Sequence, residues 1–127
     1  MYTDKRPLSP HLQIYKPQWT WVPSILTRIT GGAITVGSLL VVYWLVALAC
    51  GPEAYATAQA FFGNVLVKIV LFGFTWALMF HTLGGIRHLV WDFGIGVDIR
   101  SAERTAKLTV VASVVLTVLV WIAAYAV

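Results

Sequence analysis

The sequence predicts an all-α membrane protein, with three transmembrane helices behind an N-terminal interfacial arm. Three observations carry that expectation. Of 127 residues, 59% are hydrophobic and 11% charged, against about 25% charged in soluble domains, and the mean hydropathy is +0.81. No charge occurs from Ile29 to Pro52 or from Leu108 to Val127, and between Phe61 and Ile86 only Lys68 and His81 interrupt the apolar run. A bilayer-crossing helix needs roughly 20 such residues. Finally, the basic residues alternate: Lys5, Arg6, Lys16 and Arg28 precede the first span, and Arg87, Arg100, Arg104 and Lys107 fill the second connection. The connection around 51–60 and the C-terminal end have none. By the positive-inside rule the N-terminus faces the cytoplasm and the C-terminus the periplasm.

The apolar stretches near 28–50, 62–87 and 107–127 imply an arm over 1–23 and helices over about 24–50, 62–90 and 106–127. The arm is polar and punctuated by proline, so it reads as an extended interfacial segment, with Trp19 and Trp21 at headgroup depth. Pro23-Ser24 is a favourable helix start, and Gly31, Gly32 and Gly37 offer the first span a small-residue side for close helix contact. Gly51-Pro52 stops that span, and a short outward loop follows. Lys68, inside the second span, snorkels toward the outer surface. In the third span Thr109, Ser113 and Thr117 each bond back to their own helix, so that span is expected to act as scaffold and lipid contact. The charge of +4 sits beside the spans and is not read as a nucleic-acid surface. Cys50 is the only cysteine, which excludes an internal disulfide. A lipoprotein-type cleavage before Cys50 is not expected, because the leader would be overlong and carry four prolines.

Chemistry concentrates in His81-Thr-Leu-Gly-Gly-Ile-Arg-His88-Leu-Val-Trp-Asp92. At about 100° per residue, positions 81, 84, 85, 88 and 92 share one helical face. Two imidazoles and a carboxylate then flank paired glycines, whose flat recess suits a planar cofactor. An intramembrane ionisable group is by default a functional-site hypothesis. His81 therefore reads as an iron ligand, the plain alternative being a histidine bonded to a neighbouring helix. His88, seven residues on along the same face, cannot reach the opposite side of the same iron. His11 lies in the aqueous arm. A six-coordinate haem would thus draw its second ligand from another chain. Ser24 and Arg28, one turn apart, project from one face, and a guanidinium suits haem propionates or a quinone carbonyl. Arg87 reads as an ordinary positive-inside anchor. Asp92, in register with His88, is either a solvated acid or a proton donor.

At these residues the chain resembles the cytochrome b membrane-anchor subunit of succinate dehydrogenase, respiratory complex II. The segments Arg6-Pro-Leu-Ser-Pro-His-Leu-Gln-Ile-Tyr-Lys16-Pro17, Ser24-Ile-Leu-Thr-Arg28-Ile-Thr-Gly31 and His81 through Gly94 carry the likeness, which covers essentially the whole chain. The resemblance implies a haem b shared with a second small three-helix anchor subunit, with His81 as axial ligand to the iron. It implies that Ser24 and Arg28 line the ubiquinone site, that Arg28 and His88 lie near the haem propionates, and that Asp92 serves proton supply. It further implies that an iron–sulfur subunit and a flavoprotein subunit dock on the same side, and that succinate oxidation belongs to them. One departure stands out: many members carry histidine before the arginine, where this chain has Thr27, which cannot hold a proton near neutral pH.

The function expected is that of a haem-binding anchor of succinate:ubiquinone oxidoreductase. The alternatives are a cofactor-free structural anchor and the anchor of a fumarate reductase. A transporter component finds little support, since one histidine stripe is not a crossing pathway. The starting methionine and the lack of an Arg- and Ser-rich leader favour a bacterial inner membrane.

Overall fold

In the computed structural model, which describes residues 18–126, the chain forms four helices: α1 (Trp21–Ala49), α2 (Pro52–Gly63), α3 (Val65–Asp92) and α4 (Ile99–Ala126). No strand occurs among the described residues. Helices α1, α3 and α4 are 29, 28 and 28 residues long and apolar enough to cross a membrane. At 1.5 Å per residue each is about 42 Å long, which overruns a hydrocarbon core of about 30 Å. Their ends therefore reach the headgroup layers.

Helix α3 packs along both α1 and α4, which meet each other only slightly. The seams are made of small residues and hydroxyls. On α4 the buried positions are Ala102, Ala106, Thr109, Ser113 and Thr117, three or four residues apart on one stripe. Within lipid there is no hydrophobic force to drive helices together, so close backbone approach and hydrogen bonds must do it. Trp76 Nε1 donates to Ser113 Oγ at 3.2 Å, and Trp121 Nε1 donates to Thr75 Oγ1 at 3.2 Å, both across the α3–α4 seam. The three α4 hydroxyls also bond back to their own helix, as expected: Thr109 to Thr105 O, Ser113 to Val110 O and Thr117 to Ser113 O. They line the inter-helix seam, while neighbours such as Val111, Val114, Leu119 and Ile122 are exposed on the surface of this chain. Between α1 and α3, Gly37 gives way to the Phe74 ring, which a Cβ there would overlap.

The structure revises several expectations. The loop expected at 51–60 is helix α2, packed on α1 and on the start of α3. Pro52 opens it and Glu53 lies in its first turn, and residues 53–62 contain neither glycine nor a further proline, so local preference favours a helix. Gly51, at φ 105°, makes the reversal from α1. Helix α3 starts at Val65, where the Asn64 side chain accepts from Leu66 N at 2.9 Å. Lys68 thus lies in its first turn, with its ammonium 5.7 Å from the Tyr125 ring centroid at the far end of α4. Helix α4 starts at Ile99, seven residues before the expected 106. Asp98 caps it by accepting from Ser101 N at 2.9 Å, and Arg100, Glu103, Arg104 and Lys107 become its first turns. The motif Arg6–Pro17 and His11 lie outside the described residues.

Candidate functional site

The start of α1, the last turns of α3 and the start of α4 come together at one end of the bundle, which also carries Arg28, Arg87, Arg100, Arg104 and Lys107. His81 lies on α3 eleven residues before its C-terminal Asp92, about 16 Å along the axis. Its half-buried imidazole lies against α1. Nδ1 is 3.2 Å from the Thr27 carbonyl oxygen and 3.3 Å from Thr30 Oγ1. A carbonyl can only accept, and Thr30 Oγ1 has the Leu26 carbonyl for its own proton at 2.7 Å. Both partners therefore call for a proton on Nδ1. In the neutral ring this leaves the lone pair on Nε2.

Nε2 itself makes no hydrogen bond among the described residues, and the half-buried ring is partly open at the surface of this chain. An imidazole pinned at Nδ1 by a backbone carbonyl and open at Nε2 is in the tautomer that a metal ligand needs. Among the described residues no three His, Cys, Asp or Glu side chains converge on a metal position.

Two glycines make the close approach possible, one on each helix. A Cβ at Gly31 would lie 3.2 Å from His81 Cε1, and a Cβ at Gly84 would lie 3.3 Å from Thr27 Oγ1. The imidazole of α3 is thus seated on Gly31 of α1, while Thr27 of α1 is seated on Gly84 of α3. This corrects the expectation that both glycines front an open recess. Gly84 is buried under Thr27, and only Gly85, where a Cβ would meet nothing within 4 Å, stays open. Thr27 contributes its main-chain oxygen to His81, while its hydroxyl donates to Pro23 O at 2.8 Å.

Ser24 and Arg28 are exposed and, with Gly31, fall on one strip of α1. They lie beside the His81 seat, toward the start of the helix. His88 is exposed on α3; its Nδ1 is 2.7 Å from the Gly84 carbonyl, which makes Nδ1 the donor, and its ring meets Trp91 edge-on at 5.5 Å. Asp92, one turn on, is exposed and shares no hydrogen bond with His88. Arg87 overturns the surface-anchor reading. Only 8% exposed, it turns into the α3–α4 seam, donating from Nε to Thr105 Oγ1 at 3.0 Å and from Nη2 to Ala102 O at 2.9 Å, with its guanidinium 3.9 Å from the Trp91 ring centroid. Sequence reasoning missed Thr30 and the Thr27 carbonyl as partners of His81. The only available signal was the run Thr27-x-x-Thr30-Gly31, one turn of hydroxyl followed by a glycine.

Residues 2–120 match the model of the succinate dehydrogenase/fumarate reductase transmembrane subunit. This chain belongs to that family. It is 45% identical over 114 residues to the succinate dehydrogenase cytochrome b556 subunit of Paracoccus denitrificans, covering 90% of this chain and 88% of that one. It is 40% identical over 119 residues to the corresponding subunit of Rickettsia typhi, covering 94% and 93%. The cytochrome b560 subunit of Reclinomonas americana is 32% identical over 123 residues, covering 92% and 85%. Family membership and the three long apolar helices agree on a multi-pass membrane subunit of a succinate dehydrogenase-type complex.

Proposed function

We propose that this chain is the haem b-binding membrane anchor of a succinate:ubiquinone oxidoreductase, with His81 as one axial ligand. It would hold the iron–sulfur and flavoprotein subunits to a bacterial inner membrane and form part of the quinone-reduction site. The observation that carries the reading is the His81 imidazole, tied through Nδ1 to the Thr27 carbonyl and open at Nε2. The names of the relatives, cytochrome b556 and b560 subunits of succinate dehydrogenase, agree with it. His88 lies on the same face of α3 as His81, so the second axial ligand falls to a partner anchor subunit.

Haem b, when bound, supplies a one-electron couple. The residues of this chain act around it. Thr27 and Thr30 fix the ring and tautomer of His81; Gly31 and Gly84 allow α1 and α3 to approach closely enough for that bond. Ubiquinone reduction takes up two electrons and two protons. Ser24 would donate its hydroxyl proton in a hydrogen bond to a quinone oxygen. Arg28 would stabilise the negative charge that develops on the ring, in a site the partner subunits close from water. Arg28 and His88, both exposed near the His81 seat, would hold the propionates of a bound haem, and Asp92, exposed at the end of α3, would pass protons inward from the cytoplasmic side.

Two measurements on the purified complex test this. His81→Ala should abolish or shift the b-type bands of the reduced-minus-oxidised spectrum, whereas His88→Ala should leave bis-histidine bands in place. Ser24→Ala and Arg28→Gln should depress succinate:quinone reductase activity while succinate oxidation with a soluble artificial acceptor persists. An unchanged spectrum on losing His81, or an equal fall of both activities in an intact complex, refutes the assignment.

A further inference from the structure

Arg87 serves none of the roles proposed above, and its burial needs an explanation. It lies about 120° round α3 from His81, facing α4. Among the described residues the partners of its guanidinium are a hydroxyl, a carbonyl and an indole face. None carries negative charge. A cation so removed from water is costly unless an anion faces it. Nη1 makes no hydrogen bond among the described residues.

Arg87 lines a cleft of about 450 Å³ between α3 and α4. Arg87 is its one charged lining residue, three hydroxyls border it, and the rest of the wall, from Leu83 and Ala112 at the inner end to Ile95 at the outer, is largely apolar. The outer end lies within a few turns of the helix termini, at headgroup level, where Arg87, Arg100, Arg104 and Lys107 outnumber Asp92, Asp98 and Glu103. Basic pockets between transmembrane helices at this level suit anionic lipid headgroups.

We propose that the α3–α4 cleft binds one anionic phospholipid, its phosphodiester on Arg87 and an acyl chain lying along Leu83, Leu108 and Ala112. The occupant must be an amphiphile, because a free anion would pair with Arg87 and leave the apolar wall uncovered. The site is independent of the haem and quinone assignments, which use the α1-facing side of α3.

The test titrates the detergent-extracted, delipidated complex with dioleoyl phosphatidylglycerol or dioleoyl phosphatidylcholine and counts bound lipid by native mass spectrometry. Phosphatidylglycerol should be preferred, and Arg87→Gln should reduce that preference about fivefold, the contribution of one basic group to anionic-lipid binding. Arg104→Gln, on the exposed face, should change it much less. Ala112→Phe, which fills the inner cleft and leaves the guanidinium intact, should weaken phosphatidylglycerol binding even if Arg87→Gln prevents assembly. Excess inorganic phosphate should not displace the lipid. Equal lipid retention in Ala112→Phe and the parent complex, equal effects of the two arginine substitutions, or displacement by phosphate alone would each overturn the proposal.

Discussion

Replacing Gly31 with alanine puts a methyl carbon 3.2 Å from His81 Cε1 and 3.7 Å from Nδ1. Carbon atoms pack best at about 3.5–4.0 Å, so the imidazole must move a few tenths of an ångström away from α1. Cε1 lies between the two ring nitrogens, and the displacement is passed to both. The Nδ1 bond to the Thr27 carbonyl, already 3.2 Å long, stretches, and Nε2 turns. Overpacking a fitted contact costs about 1–3 kcal/mol. Alanine should lie at the low end, near 1 kcal/mol, and valine at the upper end; a factor of ten corresponds to about 1.4 kcal/mol. The assay is haem retained per complex during detergent washing, read from the reduced-minus-oxidised spectrum. Gly31→Ala should lose haem about fivefold more readily, and Gly31→Val between tenfold and a hundredfold. Gly32→Ala is the comparison, because a Cβ there meets nothing within 4 Å in this chain; it should leave the His81 bands in place. Parent-like haem retention and band positions in Gly31→Val would refute the reasoning, since the ring could not then be resting on Gly31.

The reciprocal contact behaves the same way: Gly84→Val should lower the thermal midpoint of the complex by crowding Thr27 Oγ1, 3.3 Å from a Cβ there, and Thr27→Ala should restore part of the loss, a coupling of about 0.5–3 kcal/mol in a double-mutant cycle. Trp76→Phe and Ser113→Ala each remove the 3.2 Å indole–hydroxyl bond across α3–α4 and should each cost about 0.6 kcal/mol of unfolding free energy in mild detergent, with no further loss from that bond when combined. Asp98 is held below the usual carboxylate value, first by its hydrogen bonds from Ser101. Its capping of α4 should be fully present above the ordinary aspartate pKa and fade as pH falls through the lowered one. Protection of the amides at the start of α4, with exchange rates corrected for their intrinsic pH dependence, should therefore fall in acid in the parent chain, while Asp98→Asn, whose amide oxygen caps at any pH, should remove that dependence.

Much of the fold was legible because lipid imposes a one-dimensional rule. A chain crossing hydrocarbon must satisfy its backbone internally, so charge-free runs of sufficient length become helices, and α1, α3 and α4 follow from the runs at 29–52, 61–86 and 108–127. Helix ends were less legible. Charged residues at 100, 103, 104 and 107 read as loop, yet they lie on the first turns of α4, where the helix has left the hydrocarbon and solvated side chains cost nothing. Helix α2 carries start and propensity signals in Pro52 and its alanine-rich run, but at 12 residues it is too short to cross hydrocarbon and so falls outside the rule that fixes the other three.

The candidate site divides along the same line. The periodicity of α3 by itself put His81, Gly84, His88 and Asp92 on one face, and the pairing of Ser24 with Arg28 followed from their spacing, because both are properties of a single helix. Which helix that face meets was decided only by packing. Gly84 accepts Thr27, Gly31 accepts His81, and the proton on Nδ1 is assigned by a carbonyl 54 positions away in the chain. Arg87 carries the same lesson: its place near a span end resembles that of any anchoring arginine, and only the approach of Thr105 and Ala102 from α4 turned it inward. Local spacing determines which residues share a face; the complementarity of two surfaces, summed over many small contacts, determines what that face touches.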